Sequence, residues 1–447
     1  MKTPRFLKTL AAAAVIIPLA ACGGGGGTDA GGGGGDASGT ITYWLWDANQ
    51  LPAYQACADE FNTANEGLEV VVEQYGWDDY WQKVTNGFVA GTAPDVFTDH
   101  VARYAEFVST NQLLAIDDVP MGEYQDGLAE LWVGPDGKRY GMPKDFDTIA
   151  LFYNKGMTDE AGVTDQLASL EWNPEDGGTY EEVIAHLTVD GAGVRGDEPG
   201  FNKDDVEVYG LGMDGFSGGA WGQTQWSMYT GTTGWTHTDE NPWGTTFNYD
   251  DERFQDTWTW LLSMVDKGYV PPLKAVTGQG SSDIFAAGKY ATLMQGSWMT
   301  KAIFDSPNIE VGLAPTPIGP EGNRSSAYNG LADSIWVGTD NPEGAKKWVE
   351  YLGGEECQTT VGEHAVVFPA NPAATEVAQK AFADEGIDVS PFLVHIEEGT
   401  THLLPIIDKA AQVEGIMTPA LDAVYAGSAP VTSMNEINQQ LEALYAG

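Results

Sequence analysis

The chain has 447 residues, with 21 Lys and Arg residues against 65 Asp and Glu residues, and a formal net charge of −44. Hydrophobic residues make up 42% of it, which is enough for a packed core and excludes wholesale disorder. No nucleic-acid partner is expected, because DNA- and RNA-binding proteins need basic side chains to neutralise phosphates. The length suggests two or three domains, or one large unit of two lobes.

The N-terminus predicts a lipoprotein signal peptide over residues 1–21. A short basic segment precedes the apolar residues 10–21, which are too few to span a bilayer, since a span takes about 20 residues. The apolar stretch ends in Leu-Ala-Ala directly before Cys22, in the order of a bacterial lipobox. We therefore expect Cys22 to be lipidated and the exported protein to be held at the outer face of the cell membrane. An ordinary signal peptide is the alternative.

Residues 22–39 combine Cys22 with a glycine-rich stretch that predicts a flexible tether. A phosphate-binding loop is another interpretation of so many glycines. That interpretation fails because no strand precedes the stretch, it contains no Lys, and no helix pattern follows it. The tether would keep a globular body close to the membrane.

Two cysteines remain beyond the tether, Cys57 and Cys357. An exported protein meets an oxidising compartment, in which two thiols can pair. Pairing also requires a suitable distance between the two residues, which the sequence does not give. A disulfide and two separate buried thiols both stay open.

Strands and helices alternate through the first hundred residues. Residues 40–46, 68–74 and 95–97 predict strands, and residues 52–65 and 78–89 have the apolar spacing of helices. This alternation is typical of βαβ units, a mostly parallel sheet and an α/β fold. Further strands are predicted over residues 150–153, 208–212 and 290–293, and further helices over residues 180–187, 252–267, 345–352, 374–384, 406–426 and 434–445.

The segments that follow predicted strands pair aromatic side chains with acids or amides. Ligands of open α/β sheets bind beyond the carboxyl ends of the strands. An aromatic ring covers the apolar face of a sugar while carboxylates accept hydrogen bonds from its hydroxyls, so these pairs suit a neutral, hydroxyl-rich ligand. Core packing is the other explanation for any single Trp. The candidates are Trp46, Asp47, Trp77, Asp99, Asp145, Asp147 and Trp298.

A second group of tryptophans consists of Trp221, Trp226, Trp235 and Trp243. Their neighbours are mostly Gly, Thr and Asn, a composition typical of loops. We expect about half of these four side chains to line a cleft, and Trp221 is the one we take as a candidate ligand contact.

Several segments occur in the order of a known family. The two strongest are YGMPKDFDTIALFYNK at residues 140–155 and FAAGKYATLMQGSWM at residues 285–299. They resemble the extracellular solute-binding proteins of family 1, the sugar-binding lipoproteins of bacterial ABC importers, which are similar in fold to maltose-binding protein. The resemblance covers essentially all of residues 40–447. Supporting segments are GTAPDVF at 91–97, TYEEVIAHL at 179–187, GLAPTPIGPEG at 312–322 and NPEGAKKWVEYLGGEECQ at 341–358.

The resemblance implies an α/β, two-lobed periplasmic-binding-protein fold of type II, with the lobes joined by three hinge crossovers. Lobe 1 would contain residues 40–145 and 317–367, and lobe 2 would contain residues 146–316 and 368–447. Cys57 and Cys357 then fall in the same lobe, which makes a disulfide between them sterically conceivable.

The resemblance also implies roles for single residues. Trp298 matches the ring-stacking aromatic of the family, and Asp147 matches an acid that often contacts sugar hydroxyls. The segment around Trp221 matches no fixed motif. The further matches are Trp46, Asp47 and Asp99 in the opposite lobe and, more loosely, Asn329 after a crossover.

The expected function is that of the extracellular substrate-binding component of an ABC importer. The protein would bind a neutral sugar or oligosaccharide between its lobes and deliver it, as a monomer, to permease subunits in the membrane. No enzymatic step, cofactor or metal is expected. The sequence has no Walker motif, so the ATPase must be a separate chain. The identity of the sugar and its number of rings stay open.

Two alternative functions stay open as well. One is a solute-binding protein for a ligand other than a sugar. The other is a secreted carbohydrate-active or esterase-like hydrolase, because residues 215–219 fit the pattern G-x-S-x-G after the predicted strand 208–212. A nucleophile elbow needs a helix directly after that pattern, and residues 220–224 are a poor helix start. A sugar that changes the tryptophan fluorescence without being turned over would favour transport.

Overall fold

The computed structural model describes residues 38–215 and 220–446. The predicted signal peptide, Cys22 and almost all of the tether lie outside the described residues, and so do residues 216–219 of the G-x-S-x-G match. Within the described part, no helix combines the length and the apolar character that crossing a bilayer requires.

The first elements of the chain follow the predicted alternation. Strand β1 (Gly39–Leu45) buries every second side chain, which is the pattern of a strand packed on one face. Helix α1 (Leu51–Ala64) carries a Pro in its first turn, where the missing N–H of Pro costs no hydrogen bond. Its apolar face, with Tyr54 and Phe61, is buried against the core.

The larger of two sheets has seven strands. Its core lies between the sheet and the helices of the first lobe, with Tyr43, Phe61 and Trp348 in ring contact. From one edge to the other the strands are β11 (Phe368–Pro369), β4 (Met142–Asp147), β10 (Ser326–Ile335), β3 (Val96–His100), β1 and β2 (Leu68–Gln74), with β12 (Thr401–Leu403) beside β10.

The smaller sheet has five strands and its own core, in which Trp258, Leu261 and Met264 are fully buried. A further apolar cluster contains residues of both sheets, among them Phe146 and Phe152. In order, the strands are β6 (Val189–Asp190), β7 (Val206–Gly212), β8 (Tyr290–Gly296), β5 (Ile149–Asn154) and β9 (Val311–Ala314).

The helices cover both sheets, and two of them, at 252–267 and 434–445, have the bounds that the sequence predicts. They are α2 (Trp77–Ala90), α3 (Val101–Ser109), α4 (Lys155–Ala161), α5 (Gly178–Leu187), α6 (Ser227–Gly231), α7 (Glu252–Lys267), α8 (Leu273–Val276), α9 (Ser281–Ala286), α10 (Thr300–Phe304), α11 (Pro342–Leu352), α12 (Glu355–Glu363), α13 (Pro372–Asp384), α14 (Ser390–Glu397), α15 (Ala410–Tyr425) and α16 (Met434–Tyr445).

The prediction of mostly parallel sheets was wrong. Among the described strands, four of the ten pairings are parallel and six are antiparallel. The parallel pairs β1–β2 and β1–β3 come from the βαβ alternation that the sequence predicts. Strand β10 enters the larger sheet from the other lobe and β4 leads out of it toward that lobe. Side-chain alternation carries no information about strand direction.

The fold is a two-lobed α/β fold. The chain passes between the sheets at Thr148, between β4 and β5, and again over residues 315–325, between β9 and β10. A third connection leads through residues 385–409 to α15, which packs on the core of the smaller sheet. Strand β11 pairs with β4 and α13 packs on α12, so both elements belong to the first lobe.

A disulfide joins Cys57 of α1 to Cys357 of α12, with the two Cα atoms 5.3 Å apart. Both residues are fully buried in the core of the first lobe. The bond connects positions 300 residues apart, and it ties the first helix of the lobe to a segment that returns to it late in the chain.

Candidate ligand-binding site

A cavity of about 340 Å³ opens where strands of both sheets end. Trp46 follows β1 and His100 ends β3, while Trp298 follows β8 of the smaller sheet. Both lobes therefore contribute to one cleft, as expected for a ligand site of an α/β fold. The lining consists of Trp46, Asp47, Ala48, Gln50, Trp77, His100, Asp147, Gln223, Trp298, Met299, Asn329 and Leu331.

The strand register of the larger sheet brings two neighbouring pairs of side chains to the wall of the cavity. Asn329 of β10 lies opposite Asp147 of β4, and Leu331 of β10 lies opposite His100 of β3. Residues two apart on a strand share a face, and directly opposed residues are neighbours on that face. Four side chains from three strands thus line the cavity together.

Aromatic rings form one wall of the cavity. Trp46 and Trp77 pack edge to face with their ring centroids 5.1 Å apart, and Trp77 lies 5.7 Å from the imidazole of His100. Trp46 also packs on Trp81, at 5.4 Å. Such contacts are favourable and orient each ring. The wall therefore exists before any ligand enters.

His100 is a neutral hydrogen-bond donor. Its Nδ1 atom accepts a hydrogen bond of 3.1 Å from the backbone N–H of Ala102, so the ring proton lies on Nε2. Burial lowers the pKa of His100 to about 3, and the nearby Arg103 acts in the same direction. At neutral pH the imidazole accordingly carries no charge and has an Nε2–H to donate.

Trp298 contributes an aromatic ring from the second lobe. It lies in the short turn Ser297–Met299, directly after β8, and is half-buried. Its indole lies against the backbone of Gly296, where an added Cβ would collide with the indole ring. The absence of a side chain at Gly296 is therefore what lets the indole take this position.

Two carboxylates face the cavity as fixed acceptors. Asp147 accepts a hydrogen bond of 2.6 Å from the hydroxyl of Ser297, and Asp47 accepts one of 2.8 Å from the backbone N–H of Asn49. Burial raises the pKa of both carboxyl groups. Two buried amide atoms at the cavity, Oδ1 of Asn329 and Nε2 of Gln223, have no hydrogen-bond partner within residues 38–215 and 220–446. These atoms stay available for a ligand.

A buried lysine supports the acidic side of the cavity. The ammonium of Lys144 donates to Oε1 of Gln50 at 3.0 Å and lies 3.4 Å from the ring centroid of Tyr54. The amide of Gln50 donates in turn to Asp47 at 3.3 Å. Burial lowers the pKa of Lys144, while the surrounding acids, Asp145 first among them, raise it. The lysine thus orients Gln50 and balances part of the acidic charge.

Six of the nine predicted ligand contacts line this cavity, and three do not. Asp99 and Asp145 are fully buried behind the cavity, and Trp221 is buried in the core of the second lobe. The six that line it are Trp46, Asp47, Trp77, Asp147, Trp298 and Asn329.

Asp99 and Asp145 were expected just after strands and lie inside them. In β3 the side chain of Asp99 points away from that of His100, because neighbouring residues of a strand face opposite sides. Asp99 accepts hydrogen bonds from the backbone N–H of His100, at 2.8 Å, and from the hydroxyl of Ser334, at 3.0 Å. Asp145 lies two residues deeper in β4 than Asp147 and pairs with Lys144 at 3.8 Å.

Trp221, Trp226 and Trp235 are buried in the core of the second lobe, so, contrary to expectation, Trp221 does not reach the cleft. The indole N–H of Trp221 donates to Glu414 at 3.1 Å. Trp226 is fully buried, with Trp235 at 5.7 Å and Phe254 at 5.2 Å, while Trp243 is half-buried. The segment does form loops, as its composition predicts, but the loops fold over α7 because burying large aromatic rings is strongly favourable.

Half of the lining residues were not predicted from the sequence. His100 could have been identified, because it is a polar residue directly after Asp99, at the end of β3. Gln50, which caps α1, offered no comparable signal, and neither did Gln223, which lies in a loop. The missed residues are Ala48, Gln50, His100, Gln223, Met299 and Leu331.

Replacing Asp99 by Asn is expected to stabilise the protein more at pH 8 than at pH 5. Burial raises the pKa of Asp99 from its ordinary value of 3.8 to about 8, Asp333 acting in the same direction and Arg103 against it. Between those two pH values the folded state keeps a proton that the unfolded chain has lost, so the free energy of unfolding falls as pH rises, by at most about 1.4 kcal/mol per pH unit. An Asn does not ionise, its amide oxygen can still accept from the backbone N–H of His100, and its amide N–H can donate to the hydroxyl oxygen of Ser334.

The measurement is urea unfolding of both proteins from pH 5 to pH 8. The difference between them isolates Asp99, because both share the other buried acids. A constant difference across this range would contradict the raised pKa.

A two-lobed molecule whose cleft combines an aromatic wall with unpaired polar atoms is built to hold a ligand between its lobes. The chain belongs to the bacterial extracellular solute-binding proteins, whose family model matches residues 56–387. The family resemblance found in the sequence is thereby confirmed. The members of this family are binding proteins rather than enzymes.

Two relatives in sequence are named as carbohydrate-binding proteins. The maltodextrin-binding protein MdxE of Bacillus subtilis is 26% identical over 297 residues, which are 65% of this chain and 64% of that protein. A maltooligosaccharide ABC transporter solute-binding lipoprotein of Streptococcus pneumoniae is 24% identical over 315 residues, which are 65% of this chain and 63% of that protein.

Solved structures share the fold over almost the whole chain. The ABC substrate-binding protein Lmo0181 of Listeria monocytogenes, in complex with cycloalternan, has a TM-score of 0.76 at 18% identity, covering 91% of this chain and 99% of that one. The GacH receptor of Streptomyces glaucescens has a TM-score of 0.73 at 21% identity, covering 91% and 97%. At these identities the likeness establishes the two-lobed fold.

Proposed function

We propose that this protein is the substrate-binding component of an ABC importer, which binds a sugar between its lobes and delivers it unchanged to a membrane permease. The observation that carries the proposal is the cleft itself, in which rings and unpaired polar atoms from both lobes surround one cavity. The names of the carbohydrate-binding relatives support the same ligand class.

The chemistry of the cleft suits a sugar ring. Trp46, Trp77 and Trp298 offer apolar faces to the C–H groups of the ring. Its hydroxyls would donate to Asp47 and Asp147 and to Oδ1 of Asn329, and they would accept from Nε2 of His100 and from the amide of Gln223. Because a hydroxyl both donates and accepts, a mixture of fixed acceptors and donors satisfies it better than either kind alone.

Binding would close the cleft without any covalent step. The connections at Thr148, at residues 315–325 and at residues 385–409 would act as hinges between the lobes. A sugar held by both lobes binds the closed state more tightly than the open one, and so it shifts the population toward closure. The permease would recognise the closed form, and a separate ATPase chain would supply the energy.

We propose that the protein works outside the cell as a monomer. A lipid on Cys22 would hold it to the membrane, and the glycine-rich tether would let the body turn toward the permease. Two acyl chains are enough for stable anchoring, whereas one chain is marginal.

The test is a thermal-shift screen of the full chain against neutral mono- and oligosaccharides, followed by fluorescence titration of each hit. A sugar at a hundred times its Kd should stabilise the folded state by about 2.7 kcal/mol, a shift of a few degrees in Tm. Chromatography of the sugar after overnight incubation should recover it intact. A panel without any shift, or a sugar that is cleaved, would overturn the proposal.

Replacing Gly296 by Ala is expected to weaken sugar binding about tenfold while leaving the fold intact. The backbone of Gly296, with φ −84° and ψ 160°, is an ordinary one for Ala. The new methyl group would nevertheless collide with the indole of Trp298 and turn it away from the ligand. Gly415→Ala is the control, because a Cβ there meets no atom within 4 Å. Equal affinities for the two variants would contradict this role of Gly296.

A further inference from the structure

A second cavity lies between residues 230–241 of the second lobe and strand β12. Its volume is about 320 Å³, close to the 340 Å³ of the cleft. Within the described part of the chain the two cavities share no lining residue, so they are separate spaces. We call the second cavity the accessory pocket; Thr230, Trp235, Thr236, His237, Thr238 and His402 belong to its lining.

We infer that the accessory pocket is a second binding site, which holds one small neutral molecule rich in hydroxyl groups. Such a molecule is a polyol or a single sugar unit. The inference goes beyond the proposed function and does not depend on it, because the cleft and the accessory pocket have different walls. Both sites could be occupied at the same time.

Two histidines bring unsatisfied nitrogen atoms to the accessory pocket. The Nε2 atoms of His237 and His402 are buried, and neither has a hydrogen-bond partner among residues 38–215 and 220–446. His237 as a whole is only 4% exposed. A buried polar atom without a partner costs about 1–3 kcal/mol. Two such atoms at one cavity therefore favour an occupant that forms hydrogen bonds with both.

Both imidazoles can adapt to a hydroxyl group. Nδ1 of His237 pairs with the hydroxyl of Tyr249 at 3.2 Å, and Nδ1 of His402 pairs with the hydroxyl of Ser325 at 2.8 Å. Because a hydroxyl donates or accepts, either tautomer of each ring is satisfied, and Nε2 can serve as acceptor or as donor. Burial lowers the pKa of His402 to about 4 and that of His237 well below its ordinary value, so both rings are neutral at neutral pH.

Three threonines add hydrogen-bond acceptors to the accessory pocket. The hydroxyls of Thr230, Thr236 and Thr238 donate to backbone oxygens at 3.2, 3.0 and 2.7 Å. Each hydroxyl has a single hydrogen, so the remaining capacity of its oxygen is to accept. These oxygens suit a ligand that carries several O–H donors. Trp235 adds an apolar surface, since its indole N–H already donates to the backbone oxygen of Asn248 at 2.8 Å.

Charge and size favour a neutral organic molecule over an ion. Asp239 is the one acid or base among the lining residues that the structure describes, apart from the two neutral histidines, and it is exposed. An anion would thus find no positive charge to pair with. A metal ion fits poorly, because zinc sites use three or four protein ligands and the described ranges contain no group of three His, Cys, Asp or Glu that could hold one.

The accessory pocket is held in shape without a ligand. The amide of Asn241 donates to the backbone oxygen of Leu404 at 2.9 Å and accepts from the backbone N–H of Ile406 at 3.0 Å. These bonds join the loop of the second lobe to the segment after β12. At Gly231 an added Cβ would collide with the hydroxyl of Ser325, which holds His402. A preformed pocket loses less conformational entropy when it binds a ligand.

The first test blocks the accessory pocket with Thr236→Trp. Thr236 is exposed, and its hydroxyl donates to the backbone oxygen of Thr238 at 3.0 Å. Thr63→Trp is the matched control, because Thr63 is exposed on α1 and its hydroxyl also donates to a backbone oxygen, at 2.8 Å. The probes are glycerol, xylitol, myo-inositol and glucose, titrated by calorimetry.

The second test removes one unsatisfied nitrogen with His402→Phe, which keeps an aromatic ring and covers a folding defect of the Trp variant. His364→Phe is its control. His364 is also half-buried, its Nδ1 lies 2.8 Å from the backbone oxygen of Thr360, and it lines neither cavity. All four variants are made in the full chain that also carries Trp298→Ala, so that the cleft contributes little to the measured binding.

We expect at least one probe to bind the chain with Trp298→Ala alone. Thr236→Trp and His402→Phe should each weaken that binding at least tenfold, and the two controls should stay within twofold. Wild type that takes up two molecules of one sugar identifies that sugar as the occupant of the accessory pocket. Wild type that takes up a polyol without loss of sugar affinity identifies the polyol as the occupant.

Failure of all four probes to bind the Trp298→Ala chain, or binding that survives both Thr236→Trp and His402→Phe, would overturn the inference. The proposed function would stand in either case if a sugar still raised the Tm of wild type.

Discussion

Replacement of Trp298 by alanine is expected to abolish the sugar-induced rise in melting temperature. The indole is the aromatic side chain that the second lobe presents to the cleft. Truncating a central aromatic contact of this kind costs about 2–4 kcal/mol of binding free energy, which corresponds to an affinity loss of about 30- to 1,000-fold. Thermal shift and fluorescence titration with a sugar from the screen measure the loss.

The fold should survive this substitution, because Trp298 is only half-buried and lies in a turn at the surface of the cleft. Trp336→Ala is the matched control, since Trp336 is also half-buried and does not line the cleft. The control should keep the full affinity. If Trp298→Ala retained the thermal shift, Trp298 would have no role in the site.

Removal of the disulfide is expected to lower the free energy of unfolding by about 4 kcal/mol. A crosslink between positions 300 residues apart strongly restricts the unfolded chain, and a loop of 100 residues already corresponds to about 4.7 kcal/mol in the chain-entropy model. The double variant Cys57→Ala with Cys357→Ala removes the crosslink while leaving small apolar side chains in the core. Urea unfolding gives the difference.

Sugar affinity should be unchanged in this double variant, because neither cysteine lines the cleft. Reducing agent should destabilise the wild type and leave the double variant unaffected. Equal stability of the two proteins would mean that the crosslink contributes nothing to the folded state.

Local patterns in the sequence predicted much of the fold. The alternation of β1, α1, β2 and α2 is visible in the spacing of apolar residues, because burial on one face imposes a period of two on strands and of 3.6 on helices. Strands β4 and β10 were missed. Their residues are buried on both faces, so no alternation marks them.

The resemblance to known families identified the site residues that occupy fixed positions in a motif. Trp298 and Asp147 lie in the two strongest segments, and both line the cleft. Trp221 lies in a segment without such a motif, and its loop composition suggested exposure. Composition does not tell whether a loop folds inward, and this loop covers α7 with its aromatic rings.

Composition, the predicted signal peptide and the apolar spacing thus suffice to predict the α/β class, the acidic character and the compartment expected for this chain. Strand register places Asn329 opposite Asp147 at the cleft. Asp99 faces away from the cleft because it lies inside β3, next to His100, and neighbouring residues of a strand face opposite sides. Gln223 reaches the cleft from a loop of the second lobe. Register and cavity shape arise from contacts between residues far apart in the chain, so no local pattern contains them.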